Sequence, residues 1–432
     1  MTMIARMTRI VGTALLAGLL LVDVGCELDQ TNPNAPVQEE SLSTVEGIIA
    51  LAVGMQAQYA DAVEDFLVPS SLVTDEWGTR SQALASYKVL VTGVGIDPSF
   101  GVVSAPFTNA YRVIRSADLV IENAPNVALG PGFQTGVVSL ARLYRAMALG
   151  TIIQVYTEVP IDVSVAGPIP QPRDAVLAEV IRLLEAARSD LAGVSDDDLA
   201  GFRSRVLGAG FDLRATIDAL LARYYLIDGQ YMQAIQAADR VDPGASSVLT
   251  YTSTTPNPVF NLGFQLGYVQ PLRSFVETAE PGDERPAYWV DLASEPFAGD
   301  PDSTLQNMLK YSTSTEPFPV FIQDEIKLIK AEASARNGDL QTARMLINEV
   351  RTDATESPTD PAANLPALDE AQLGSLEAVL AQIAHERHYE LYMQGTRWED
   401  LRRFDDVVDT EPVVDFFPYP QGECINNPAD VC

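Results

Sequence analysis

Two stretches of this chain carry one pattern, and that pattern limits the fold more than any other feature. "ALLARYYLIDGQYMQAIQAADRV" and "KLIKAEASARNGDLQTARMLINEV" each run as an Ala-rich helical segment, a glycine, an aromatic or Leu two residues on, and an alanine three further. Gly229, Tyr231 and Ala234 correspond to Gly338, Leu340 and Ala343. Glycine permits the tight turn between two helices, and the small alanine lets them approach closely. The glycines stand 109 residues apart, so the two pairs are not tandem units, and the chain between them must be looped out from stacked hairpins.

Further helical periodicity agrees. Val45, Ile48, Ile49, Ala52 and Val53 recur at the i, i+3, i+4 spacing of one apolar face. "FTNAYRVIRSADLVIEN" and "VVSLARLYRAMALGTIIQVYT" are long apolar-striped segments separated by a Pro/Gly turn, which predicts a helix hairpin over 107–157. A third helix is expected from Asp174 to Leu191, begun by Pro172 and Asp174. The chain is therefore mainly α, with tetratricopeptide-like hairpins. The segment 245–319 is different, because it is rich in Thr, Ser, Pro, Gly and aromatics without long periodicity. Long irregular segments in compact domains tend to carry function. It is the part of the chain expected to carry function.

The N-terminus reads as a targeting element. Arg6 and Arg9 precede an apolar run from Ile10 to Val22 that is too short to span a bilayer, and the run is followed by Gly25-Cys26. A small residue before cysteine after such a run resembles the processing site of bacterial lipoproteins, with Asp23 as a departure from it. Residues 1–25 are then a signal peptide, Cys26 the lipidation site, 26–43 a tether, and 44–432 the folded domain. "ELDQTNPNAPVQEES" has the prolines and polar residues of such a tether.

Charge excludes one class of partner. Lys plus Arg number 28 against 59 Asp plus Glu in 432 residues, a net charge of −31, which disfavours a nucleic-acid backbone. No Gly-rich phosphate loop, no Cys/His metal spacing and no G-x-S-x-G elbow occurs. Beyond Cys26, only Cys424 and Cys432 remain; in an oxidising compartment they can pair as a disulfide, the alternative being two free thiols on a frayed tail.

The densest charge cluster is "ERHYELYMQGTRWEDLRRF", Glu386 to Phe404. Leu380, Ile383, Ala384, Arg387, His388, Leu391 and Tyr392 share one helical face, which Gly395 ends. Thr396 and Glu399 predict a capping box that starts a second helix, with Trp398 and Leu401 inward. His385 and His388 lack the i, i+4 spacing of a zinc-protease helix, so no metal site and no catalytic residue is expected. The cluster reads as a structural corner in which Glu386 and Glu390 meet Arg397, Arg402 or Arg403 in ion pairs.

That motif, with Gly395, Arg397-Trp398 and Asp400 in order, resembles the C-terminal signature of SusD/RagB-like outer-membrane lipoproteins. "LYRAMALGTIIQVYTEVP", "GDERPAYW" with Asp283 and Arg285, "LKYSTSTEPFPVFIQDEIKLIKAEA" and "FPYPQGECINNP" are similar to other family segments in the same order. Gln323 departs, standing where an arginine is common. The resemblance implies a mainly α fold of tetratricopeptide-like hairpins with a loop-rich, partly β second lobe, in which 245–319 is the ligand-side segment. It also implies a lipid-anchored protein of the bacterial outer membrane, on the cell surface, that binds nutrients such as oligosaccharides and works with a SusC-type TonB-dependent transporter, without cofactors and without covalent chemistry. The alternatives are a lipid-anchored scaffold for a protein partner and, from the acids near tryptophan in "TDEW" and "GDER", a glycoside hydrolase. A sugar binder needs flat aromatic faces rimmed by amides and carboxylates. Trp77, Phe264, Tyr268, Tyr288 and Trp289 are the residues expected to supply them, while Trp398 belongs to the corner.

Overall fold

The computed structural model describes residues 42–165, 167–293 and 304–427. The expected signal peptide, the lipidation site Cys26 and the tail cysteine Cys432 lie outside the described residues. One compact unit spans Ser43–Cys432.

The centre of this unit is a row of packed helices. Helices α1 (Val45–Asp61), α2 (Val63–Val73) and α3 (Ala85–Thr92) lead to the hairpin α4 (Gly101–Asn123) and α5 (Pro131–Val155). Helices α6 (Arg173–Leu191), α7 (Asp196–Arg205), α8 (Leu213–Ile227) and α9 (Tyr231–Ala238) follow. After the irregular segment come α10 (Gln323–Arg336), α11 (Leu340–Arg351), α12 (Leu376–Glu390) and α13 (Arg397–Arg403). Along the row α5 packs on α6, α6 on α8, α9 on α10, and α10 on α12. The two pairs with the shared pattern, α8/α9 and α10/α11, thus stack directly, with the chain between them looped out as the 109-residue spacing requires. Gly229 and Gly338 sit in the left-handed region at φ +73° and +89°, where other residues are strained. Ala234 and Ala343 are fully buried at the close approach.

Local chemistry sets the helix starts. Thr44, Asp212, Asp339 and Ser375 each accept a hydrogen bond from a backbone N–H in the first turn, and Ser195 and Asp198 form a reciprocal capping box at α7. Pro131 takes the first position of α5, where no N–H is needed. Helix α5 is long and apolar enough to cross a membrane, yet it is mostly buried, packed against α1, α4 and α6 as a core helix.

Among the described residues, strands occur as three two-stranded antiparallel sheets. They are β1 (Trp77–Thr79) with β5 (Val269–Pro271), β2 (Glu158–Pro160) with β3 (Pro170–Pro172), and β4 (Ser247–Leu249) with β6 (Phe318–Phe321). Trp77 pairs with Pro271, Gly78 with Gln270 and Thr79 with Val269. This pairing brings the segment after α2 beside the irregular segment. The first sheet thus ties 245–319 to the segment after α2, and the third joins the beginning of 245–319 to its end.

Candidate functional site

The charged corner is built as a buried ion-pair network, and its partners differ from those the sequence suggests. Arg285 is the hub. Its Nε and Nη2 donate to the two oxygens of Asp283 at 2.9 and 2.8 Å, and Nη1 reaches Glu386 Oε2 at 2.6 Å and Glu390 Oε1 at 3.0 Å. All four side chains are fully buried. Arg351 holds the other oxygen of Glu386 at 2.6 Å and both oxygens of Glu280. Glu386 and Glu390 thus meet Arg285, with Arg351 added at Glu386, rather than Arg397, Arg402 or Arg403. The correction has a physical reason: Arg402 and Arg403 lie on α13 and point to Glu399 and to Glu332 and Asp400. Burial places Arg397 near Glu76 and Asp400, which counter the downward push of burial on its guanidinium.

The corner differs from expectation in two further details. Helix α12 ends at Glu390, and the chain turns through Met393 and Gly395, both in the left-handed region, before α13. No side-chain cap forms at Thr396; Glu399 instead accepts from Arg173 at 2.7 Å and Arg402 at 3.0 Å. A bidentate pair, Arg387 to Asp400 at 2.8 and 2.9 Å, spans the turn in its place. Burial pushes the Asp400 carboxyl up, but Arg387 and Arg403 outweigh it and hold it below the usual range. Trp398 is core, as expected of the corner, with its Nε1 donating to Val414 O at 2.9 Å.

This joint seats the irregular segment. Phe275 stacks on Tyr392 at 3.6 Å between ring centroids, Trp289 Nε1 donates to Tyr389 O at 2.9 Å, and Tyr392 Oη donates to Glu76 O at 2.8 Å. Trp77 and Trp289 are therefore interior residues with 0% exposure, and neither presents a face for a ring to stack on. The expectation that they form a ligand surface fails because sheet β1/β5 and the corner close over them. Tyr288 is also buried, its hydroxyl donating to Pro358 O at 2.8 Å.

Phe264 and Tyr268 have a different setting. Phe264 is 38% exposed and stacks on the half-buried Phe260 at 5.8 Å and 19°. Tyr268 packs against Tyr87 at 6.1 Å. Leu266 and Leu84 are exposed beside them. Gln82 donates to Gly267 O at 2.7 Å, and the Arg80 backbone N–H donates to Tyr268 O at 2.9 Å, so the two loops are knit together. Gly267, at φ +60°, is the residue that lets the second loop turn beneath Arg80 and Gln82. Two aromatic pairs, Phe260–Phe264 and Tyr87–Tyr268, thus stand on these joined loops, with Gln82 bonded at Gly267 between Phe264 and Tyr268 in the sequence. A cleft of about 70 Å³ adjoins Tyr87 and is lined by Glu64 and Asp65. Burial raises Glu64 to about 8 and Asp65 to about 6, so a hydrogen-bond-donating carboxyl stands next to the tyrosine near neutral pH. Sequence reasoning missed Tyr87, Gln82 and Glu64, since only the pairing of β1 with β5 brings them to Tyr268.

A second concave surface, of about 530 Å³, is lined by Phe107, Tyr111, Arg112, Arg115, Pro160 and Glu423. Cys424, on the neighbouring turn, is disulfide-bonded. Of the carboxylate and histidine groups close enough to share an ion, Glu280, His385 and Glu386 form one set, but both glutamates are already engaged by Arg351, and Glu386 by Arg285 and Gln382 as well. Burial lowers the pKa of His385 and drives that of His388 well down, so both imidazoles are neutral.

Residues 301–428 match the sequence profile of the SusD family. No curated protein matches the chain significantly. Among solved structures, the fold is similar to a SusD superfamily protein from Bacteroides thetaiotaomicron at 16% identity and a TM-score of 0.66, covering 89% of this chain and 98% of that one. It is similar to NanU of B. fragilis at 14% identity and a TM-score of 0.68, covering 92% and 98%, and to a laminarin binding SusD-like protein at 16% and 0.63, covering 87% and 97%. The matched profile region contains the whole corner motif, and the fold is the mainly helical SusD-like fold.

Proposed function

We propose that this chain, which carries the SusD-family C-terminal region on a SusD-like fold, is a nutrient-binding protein that takes oligosaccharides on the platform formed by Phe260, Phe264, Tyr268 and Tyr87. The observation that supports this reading is the stacked Phe260–Phe264 pair, with Phe264 38% exposed, on the loop that Gln82 joins at Gly267. Pyranose rings present flat C–H faces to aromatic rings, while Gln82 and Glu64 suit their hydroxyls. The chemistry is recognition without covalent steps, since the corner is built as a joint in which Arg285 and Arg351 grip Asp283, Glu280 and Glu386. The one neighbour cited above that is named for laminarin binding agrees with a glycan ligand.

The working position follows from the N-terminus. Cys26 carries the lipid, the tether lets the domain pivot at the outer membrane, and a SusC-type TonB-dependent barrel receives the ligand. Cys424 pairs with Cys432 to close the tail.

The test titrates soluble protein lacking residues 1–26 with a panel of oligosaccharides and peptides by calorimetry, with Phe264→Ala and Tyr268→Ala alongside. An aromatic contact contributes ~0.5–1.5 kcal/mol beyond its buried area, so a bound glycan should weaken by about tenfold in either variant at an unchanged melting temperature. If no glycan binds, or binding falls with Arg115→Ala and not with Phe264→Ala, the platform is not the site. In cells, Cys26→Ser should release the protein from the membrane fraction, and retention after a high-salt wash would refute the anchor.

A further inference from the structure

A trio of carboxylates lies beside the corner. Asp324 stands in the first turn of α10, Asp360 in the loop between α11 and α12, and Glu390 at the last residue of α12. One oxygen from each falls within 4.8 Å of the others. Asp324 and Glu390 are fully buried. Their charges are only half answered. Arg285 reaches one oxygen of Glu390 at 3.0 Å, and Lys327 reaches Oδ1 of Asp324 at 2.5 Å. Among the described residues, Glu390 Oε2, Asp324 Oδ2 and Asp360 Oδ1 have no hydrogen-bond partner. Arg285 offers little more, because it also serves Asp283 and Glu386.

We infer that these three residues bind one divalent cation of the calcium class. Three oxygens no more than 4.8 Å apart can all touch one ion that sits about 2.4 Å from each, and a buried set made of protein carboxylates suits calcium, since magnesium keeps several of its waters. The donor set is all oxygen, with no sulfur or imidazole, which selects a hard cation. Unpartnered oxygens on fully buried carboxylates are costly to leave alone, and a bound cation satisfies them. The contrast with Glu280, His385 and Glu386 is instructive, since arginines occupy the oxygens there.

The ion would join three separated segments. The loop holding Asp360 is otherwise secured through Pro358 O, which accepts from Tyr288 Oη at 2.8 Å and Lys310 Nζ at 2.6 Å. Cation binding therefore fixes that loop against the same corner that seats the irregular segment.

The full chain, stripped with a chelator, is titrated with calcium chloride and separately with magnesium chloride, followed by calorimetry and thermal unfolding. One calcium should bind per chain, and at a hundredfold excess over Kd the melting temperature should rise by ~3 °C. Asp360→Asn, at a half-buried position without an ion pair, should fold and lose both responses, while Asp369→Asn, an exposed acid of the same loop, should keep them. Absence of calcium heat and of a thermal shift in the wild type overturns the assignment. So does an Asp360→Asn protein with wild-type calcium affinity, or a magnesium response as strong as that to calcium.

Discussion

Replacing Arg285 with Met removes the hub of the corner while keeping its length and much of its volume. Three carboxylates then face the interior with reduced compensation: Asp283 and Glu390 lose the guanidinium that contacts them, and Glu386 keeps only Arg351 and Gln382. Removing one partner of a buried ion pair costs ~3–5 kcal/mol, because the penalty is the uncompensated charge and not the lost contact. For the compact unit Ser43–Cys432, an unfolding entropy of ~2.1 cal/mol/K per residue gives ~0.8 kcal/mol/K in all, so the melting temperature should fall by ~4–6 °C. The assay is thermal unfolding followed by circular dichroism at pH 7.5 and 5.5.

The pH arm carries the sharper test. A carboxyl orphaned in the interior titrates above its unfolded value, so the folded variant binds more protons than the unfolded chain between those two values. In that window stability rises as pH falls, and the deficit of Arg285→Met should therefore shrink at pH 5.5. Neutralising the acids as well, with Asp283→Asn, Glu386→Gln and Glu390→Gln added, should recover most of the loss. A single variant within 1 °C of the wild type, or a deficit equal at both pH values, would refute the argument that Arg285 compensates buried charge.

Two other outcomes follow from packing and burial. Gly150→Ala adds a Cβ that overlaps the Tyr224 ring where α5 meets α8; the overpacking of ~1–3 kcal/mol should outweigh the ~1 kcal/mol gain in helix propensity and lower the melting temperature, and a stabilised variant would show that the interface yields. Burial raises Glu64 to about 8 and Glu76 to about 7, so each is protonated in the folded state above the pH at which it ionises when unfolded, and their contributions weaken as pH rises from about 4.5 to 8; the wild type should melt at a higher temperature at pH 5.5 than at pH 8.5, and the reverse order would show that these carboxyls stay ionised.

The helical row was legible because each of its signals is local. Gly229 and Gly338 mark turns that only glycine makes without strain, and Ala234 and Ala343 mark close approaches two turns away. The corner was half legible. Its residues read as an ion-paired joint, but the partners of Glu386 stand 101 residues earlier, at Arg285, and 35 earlier, at Arg351, and helical spacing cannot carry information over such distances. The tryptophans misled for a related reason. Trp77 lies in a polar loop sequence, "TDEWGTR", and nothing there reveals that β1 pairs with β5 and that Phe275 and Tyr392 close beneath it. An aromatic residue in an irregular segment is as readily its core as its surface, because such a segment has no periodicity to give it faces.

That last point bears on why the joint is polar at all. A segment without a repeating apolar stripe can slide against helices with little change in buried area, since hydrophobic contact is non-directional. Arg285, held by Asp283 on its own segment, reaches across to Glu386 and Glu390 and so fixes one register, because a shift of one residue would leave Glu390 buried without its arginine and Glu386 with Arg351 and Gln382 alone. Four residues on, Trp289 locks to the Tyr389 carbonyl on α12, so the register set at Arg285 extends along the short helix Arg285–Trp289. From there the pairing of Val269 with Thr79, upstream of Arg285 and anchored by Phe275 on Tyr392, carries it to the loops bearing Tyr268 and Tyr87. A platform built on loops must have its rings held in a fixed relation to bind with specificity, and on the proposed reading that relation is set from the buried Arg285 guanidinium, remote from the rings themselves.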